Sequence, residues 1–64
     1  MTTDDHRRDL NEAIEDQGPG FILAEDTDEQ IEVTARFAAQ ACSAPYLIAL
    51  DVVREWREEA RNYH

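Results

Sequence analysis

The chain has 64 residues and a mass of 7.4 kDa, and 15 acidic residues against six arginines and no lysine give a net charge of −9. This length predicts one small domain, residues 1–64, because chains of this size bury only about 60% of their unfolded surface. The charge argues against direct binding to nucleic acid or to an anionic membrane, since both require Lys or Arg to replace counterions. It favours a protein partner with a basic surface.

Other features of the sequence argue against a membrane span, a secretory signal and cysteine-based cross-links or metal sites. The sequence has no run of about 18 apolar residues, so no membrane span is expected. The segment MTTDDHRRDL is charged and lacks the apolar region of a secretory signal, which favours a cytoplasmic protein. Cys42 is the single cysteine, so the chain can form neither an internal disulfide nor a cysteine-based zinc site.

The first predicted helix covers about Thr3 to Gln17. Two aspartates in its first turn suit the positive end of the helix dipole, and Leu10, Ala13 and Ile14 form one narrow apolar stripe. Gly18 is expected to end the helix in a left-handed conformation, and Pro19 prevents its continuation.

A short apolar run, Phe21–Ala24, follows the break. It is too short to assign by periodicity. Two alternatives stay open: one short strand, which would most easily pair with the same strand of a second copy, or an extended segment laid across two helices.

The second predicted helix starts near Thr27, because Thr27 and Gln30 fit a capping box. Its apolar positions form two stripes, one with Ile31, Ala35, Ala38 and Cys42 and one with Val33, Phe37 and Ala41. The third helix is predicted to begin after Ser43 as N-cap, with Pro45 in the first turn, and to reach Tyr63. Residues 46–53 are apolar on nearly all sides, which predicts a core around Leu47, Leu50 and Val53 and a homodimer or heteromeric complex formed through this helix.

The residues that could carry chemistry form no recognisable catalytic or metal-binding pattern. His6 and His64 lie near opposite ends, and the acidic residues 26–32 lack the glycine and the final glutamate of a calcium loop. Cys42 is expected to be a buried structural residue and Ser43 a helix cap, so neither is expected to act as a nucleophile. We therefore expect no enzyme activity, no metal and no cofactor.

Two resemblances bear on function. The order and lengths of a short apolar segment and two helices, Phe21–Ala24, Asp28–Cys42 and Pro45–Tyr63, resemble those of ribbon-helix-helix regulators, which implies a strand-paired dimer. That family reads DNA with polar or basic strand residues, whereas here the segment is Phe-Ile-Leu-Ala followed by acid. In size and charge the chain is similar to phage-encoded inhibitors of host defence, including anti-CRISPR proteins and other nucleic-acid mimics.

The asymmetry of the charge favours one function over the others. Residues 4–32 carry the whole net charge of −9, and the charges of residues 33–64 cancel. We expect a mainly α protein of about three helices that binds a basic, nucleic-acid-binding surface of a partner as an inhibitor. The alternatives are a helical regulatory or antitoxin-like homodimer and a halophile's acidic structural domain. The predicted partner-binding residues are Asp9, Glu12, Asp16, Glu25, Asp26, Asp28, Glu29 and Trp56.

Overall fold

The computed structural model describes residues 2–62, which form a bundle of three helices: α1 at Thr3–Gln17, α2 at Asp28–Cys42 and α3 at Tyr46–Asn62. Each helix packs against the other two, and none of the described residues is in a strand. The prediction of a mainly α, three-helix protein is confirmed. The predicted role of Tyr63 in the third helix and the position of His64 fall outside the described residues.

Side-chain caps fix where the first two helices begin. The Thr2 hydroxyl accepts from the Asp5 N–H at 3.2 Å, and the Asp5 carboxylate accepts in return from the Thr2 N–H at 3.3 Å. Thr27 and Gln30 form the predicted capping box, with reciprocal bonds of 3.2 and 2.9 Å. Because each box satisfies two N–H groups left unpaired at a helix start, both starts are determined locally.

Gly18 ends α1, as predicted, but with a different backbone geometry. Its φ of 94° and ψ of 175° lie outside the left-handed helical region, in a region open almost only to glycine. The chain then makes two turns, closed by hydrogen bonds from Phe21 N–H to the Gly18 carbonyl and from Asp26 N–H to the Leu23 carbonyl. Residues 21–24 therefore contain no strand, and the ribbon implied by the regulator resemblance is absent from them.

The expected role of Ser43 as N-cap of the third helix is wrong. Ser43 instead ends α2 in the left-handed conformation, with φ 51° and ψ 41°. Its N–H bonds to the Gln40 carbonyl, and the Ala44 N–H bonds to the Ala39 carbonyl at 2.9 Å, which is the Schellman pattern. Pro45 precedes α3, and its carbonyl accepts the first helical bond, from the Ala49 N–H at 3.1 Å. The tight turn that joins α2 to α3 explains the difference.

The core lies where the three helices meet. The largest of its fully buried side chains are Leu10, Ile31, Val52 and Val53, and alanines of α2 and α3 fill the space between them. Small side chains let α2 and α3 approach closely. The remaining buried core residues are Ile14, Ile22, Ala35, Ala38, Ala39 and Ala49.

The prediction that Leu47 belongs to this core is wrong. Its side chain is 72% exposed, Leu50 is half-buried, and only Val53 of the three predicted residues is fully buried. Leu47 shares its side of α3 with the exposed Asp51 and Arg54, at helical spacings of four and seven residues. Because the two charged groups need water, α3 turns that side outward and buries the opposite one.

Candidate functional site

The outer side of α1 carries a row of carboxylates. Asp9, Glu12 and Asp16, which we call the α1 carboxylate row, are spaced by three and four residues and so follow one side of the helix. Glu12 and Asp16 are exposed, with their Cα atoms about 6 Å apart along the axis, and Asp9 is half-buried at the edge towards α2. The structure therefore brings three of the predicted partner-binding residues together.

Both arginines of α1 pair with carboxylates outside this row. The Arg7 guanidinium contacts both carboxylate oxygens of Glu55 on α3, and this hydrogen bonding raises the pKa of Arg7. Arg8 pairs with Asp5 at 3.4 Å. Hydrogen bonds from Thr2 lower the pKa of Asp5, so this capping carboxylate stays ionised at neutral pH.

The predicted acidic residues of the linker and of the start of α2 divide into two groups. Asp28 accepts from the Arg57 guanidinium at 2.8 Å, which lowers the pKa of Asp28, and Asp26 accepts from the Leu23 N–H at 3.0 Å. Glu25 and Glu29 are exposed and make no side-chain hydrogen bond or ion pair to residues 2–62. Two of the four carboxylates thus stabilise the fold, and two stay open to a partner.

Trp56 joins α3 to α1 within the chain. Its indole N–H donates to the Asn11 side-chain oxygen at 2.8 Å, and its half-buried ring packs against the core. The sequence could not reveal this pairing, because 45 residues separate the two positions. The indole N–H is already satisfied, so Trp56 can offer a partner the exposed part of its ring but not its donor.

A groove that no local sequence pattern predicts runs beside Trp56. A space of about 330 Å³ lies between the C-terminal end of α1 and the second half of α3. Its apolar lining comes from both helices and from the linker, and one glutamate of each helix borders it. Its main lining residues are Trp56, Ile14, Ile22, Pro19, Glu15 and Glu59.

Two further apolar side chains are exposed on the outer side of α2. Val33 is 57% exposed and Phe37 is 60% exposed, and their four-residue spacing places them side by side, opposite the buried Ala35. Both belong to the second apolar stripe that the spacing of α2 predicts. On α3, Leu47 is similarly exposed, so the exposed large apolar side chains lie on two helices.

The thiol of Cys42 is unsuited to nucleophilic chemistry. Burial raises its pKa, and the negative charge of Asp9 raises it further. The sulfur lies 3.8 Å from the Asp9 carbonyl, to which it donates. A thiol in this environment stays protonated near neutral pH, as expected of a structural cysteine.

Within residues 2–62, no three His, Cys, Asp or Glu side chains are grouped so that they could hold a metal ion. The described helices are also too short or too polar to cross a bilayer. Comparisons with protein-family models, with curated proteins and with solved structures found no match to this chain.

Proposed function

We propose that this protein is a non-enzymatic binding module that uses the α1 carboxylate row to occupy a basic surface of another protein in the cytoplasm. On such a surface the row competes with nucleic acid, whose phosphates present a similar line of negative charge. The partner is a protein with clustered Arg or Lys, and the module acts as its inhibitor, as a nucleic-acid mimic does.

One observation carries this proposal: three arginines are engaged by partners within the chain, while Glu12 and Asp16 of α1 are exposed. Arg7 is held by Glu55, Arg57 by Asp28, and Arg61 donates to the Ala24 carbonyl at 3.1 Å. These three arginines are engaged elsewhere in the chain, so they do not neutralise the exposed Glu12 and Asp16. Concentrated charge on a rigid helix attracts a basic surface and speeds association with it.

Capture and displacement test the proposal. The immobilised chain is incubated with a cell lysate, and bound proteins are eluted with an excess of a 20-base-pair DNA duplex. We expect duplex DNA to release a DNA- or RNA-binding protein that a Glu12→Arg, Asp16→Arg variant fails to capture. Captured proteins that DNA does not release, and that the variant retains, would contradict the proposal.

A regulatory homodimer is the second candidate, because Val33 and Phe37 leave an apolar stripe on α2 uncovered. Apolar stripes of this kind often mark protein contacts. Sedimentation of the wild type and of a Phe37→Ser variant distinguishes the two proposals. A concentration-dependent dimer that the substitution abolishes would favour the homodimer.

A further inference from the structure

We propose that the groove beside Trp56 binds one arginine or lysine side chain of a basic protein partner. This inference rests on the proposed function and names a specific contact within it. The observation behind it is a cavity that combines an aromatic ring, apolar walls and two carboxylates. The residues of this cavity are different from those of the α1 carboxylate row.

The lower part of the groove fits the methylene stem of a long basic side chain. Ile14 and Ile22 are 2% and 7% exposed and form a dry floor, and Pro19 and the half-buried Trp56 stand beside them. Arginine and lysine bury their stems along apolar surface while the charged end stays near water. A space of about 330 Å³ has room for a side chain of this length.

The rim of the groove fits the charged end. Glu15 and Glu59 are both exposed and border the groove from α1 and α3. The face of a tryptophan ring also attracts a guanidinium or ammonium group, by about 0.5–1 kcal/mol at exposed sites. No Arg or His of the described chain lines the groove, so its negative rim has no cation of its own.

The end of α1 adds to the same preference. A helix C-terminus carries a partial negative charge, and the last turn of α1 contains no basic residue. Gly18 and Pro19 place that end directly at the groove. The ring, the two carboxylates and the helix end all border the same groove, and each favours a cation there.

A partner of opposite charge is a better occupant than a second copy of this chain. A second copy would bring another net charge of −9 to a negative rim, and the two chains would repel. A basic partner removes that repulsion and satisfies both glutamates. The proposal is thus limited to an Arg or Lys side chain on a positively charged surface.

The test uses an acetylated peptide of nine arginines, with nine citrullines as the uncharged control. Trp56 is the single tryptophan, so its fluorescence reports on the groove. The variant is Glu15→Gln, Glu59→Gln. Its control, Glu32→Gln, Asp51→Asn, removes two exposed charges on the outer surfaces of α2 and α3. Thermal melts verify that both variants fold.

We expect the arginine peptide to change the Trp56 emission and the citrulline peptide to leave it unchanged. The groove variant should bind at least about fivefold more weakly than the control variant, since it loses two ion pairs at an equal net charge. Equal weakening in both variants would overturn the groove and leave the α1 carboxylate row standing. Absence of any binding by the arginine peptide would overturn both proposals.

Discussion

The guanidinium of Arg57 donates to the carboxylate of Asp28 at 2.8 Å across 29 positions of sequence, and the same nitrogen bonds to the Asp26 carbonyl at 3.2 Å. The Arg57 side chain is only 11% exposed. These bonds tie the linker before α2 to the second half of α3, and Arg61 reinforces them at the Ala24 carbonyl. The linker is therefore held to α3 by the largely buried Arg57 and by the more exposed Arg61.

Replacing Arg57 tests this attachment. We expect Arg57→Ala to lower the free energy of unfolding by about 1–3 kcal/mol, because the partly buried Asp26 carbonyl loses its donor and α3 loses packing. Arg54→Ala is the matched control: this exposed arginine makes no hydrogen bond or ion pair to residues 2–62, and its loss should cost less than about 0.5 kcal/mol. Urea unfolding followed by Trp56 fluorescence measures both. Equal losses would contradict the attachment.

The ion pair between Asp28 and Arg57 predicts that the stability of the fold depends on pH. The pKa of Asp28 is lowered in the folded chain by the hydrogen bond from Arg57, so the pair stabilises the fold above the ordinary value of 3.8. That contribution is lost as the pH falls through the lower, folded pKa. The stability difference between wild type and Asp28→Asn should therefore be constant at neutral pH and shrink in acid.

The control for this pH effect is the same comparison in an Arg57→Met background. Without the guanidinium, the Asp28→Asn substitution should have little effect at any pH. Unfolding curves at several pH values in both backgrounds give the answer. A pH-dependent difference that persists without Arg57 would mean that another group lowers the pKa.

The backbone of Gly18 predicts a second pair of contrasting substitutions. Gly18→Ala places a Cβ on a residue with φ 94° and ψ 175°, which should cost about 1–3 kcal/mol although no atom lies within 4 Å of the new carbon. Gly20 has no positive φ and equally open space, so Gly20→Ala should be neutral or slightly stabilising. Thermal melts that rank the two variants in the opposite order would contradict the geometry at the end of α1.

Two identical substitutions test which leucines belong to the core. Leu10 is fully buried, and Leu10→Ala should destabilise by about 3 kcal/mol, as is usual for core leucines. Leu47 is 72% exposed, and Leu47→Ala should change the free energy of unfolding by less than about 0.5 kcal/mol. A large loss at Leu47 would indicate that a second chain covers α3 in solution.

The features that depend on neighbouring residues could be predicted from the sequence. Thr27 with Gln30 marked a helix start, and Gly18 with Pro19 marked a helix end, because capping and chain reversal are decided within a few residues. The role of Ser43 could not be predicted from its neighbours, because a serine between two helices can stand at the end of the first or at the start of the second. In this chain the connection between α2 and α3 is only residues 43–45, and Ser43 adopts the left-handed conformation that ends α2.

The candidate site depended more on tertiary structure. The α1 carboxylate row followed from helical spacing alone. Arg57 pairs with Asp28, and Glu15 and Glu59 border one groove. In both cases the two residues are more than 25 positions apart. No local pattern reports such pairs, so the sequence overestimated the open acidic surface beside α2 and missed the cavity beside Trp56.

The most direct test of the central claim is the affinity of the captured partner for two charge-reversed variants. One variant is Glu12→Arg, Asp16→Arg in the α1 carboxylate row. The other, Glu32→Arg, Asp51→Arg, has the same net charge with its changes elsewhere on the surface. Titrations at about 50 and 300 mM salt are compared, since screening weakens contacts between exposed charges. We expect the first variant to lose binding, the second to retain most of it, and added salt to weaken the wild-type complex. Equal affinities of the two variants, with no effect of salt, would contradict the central claim.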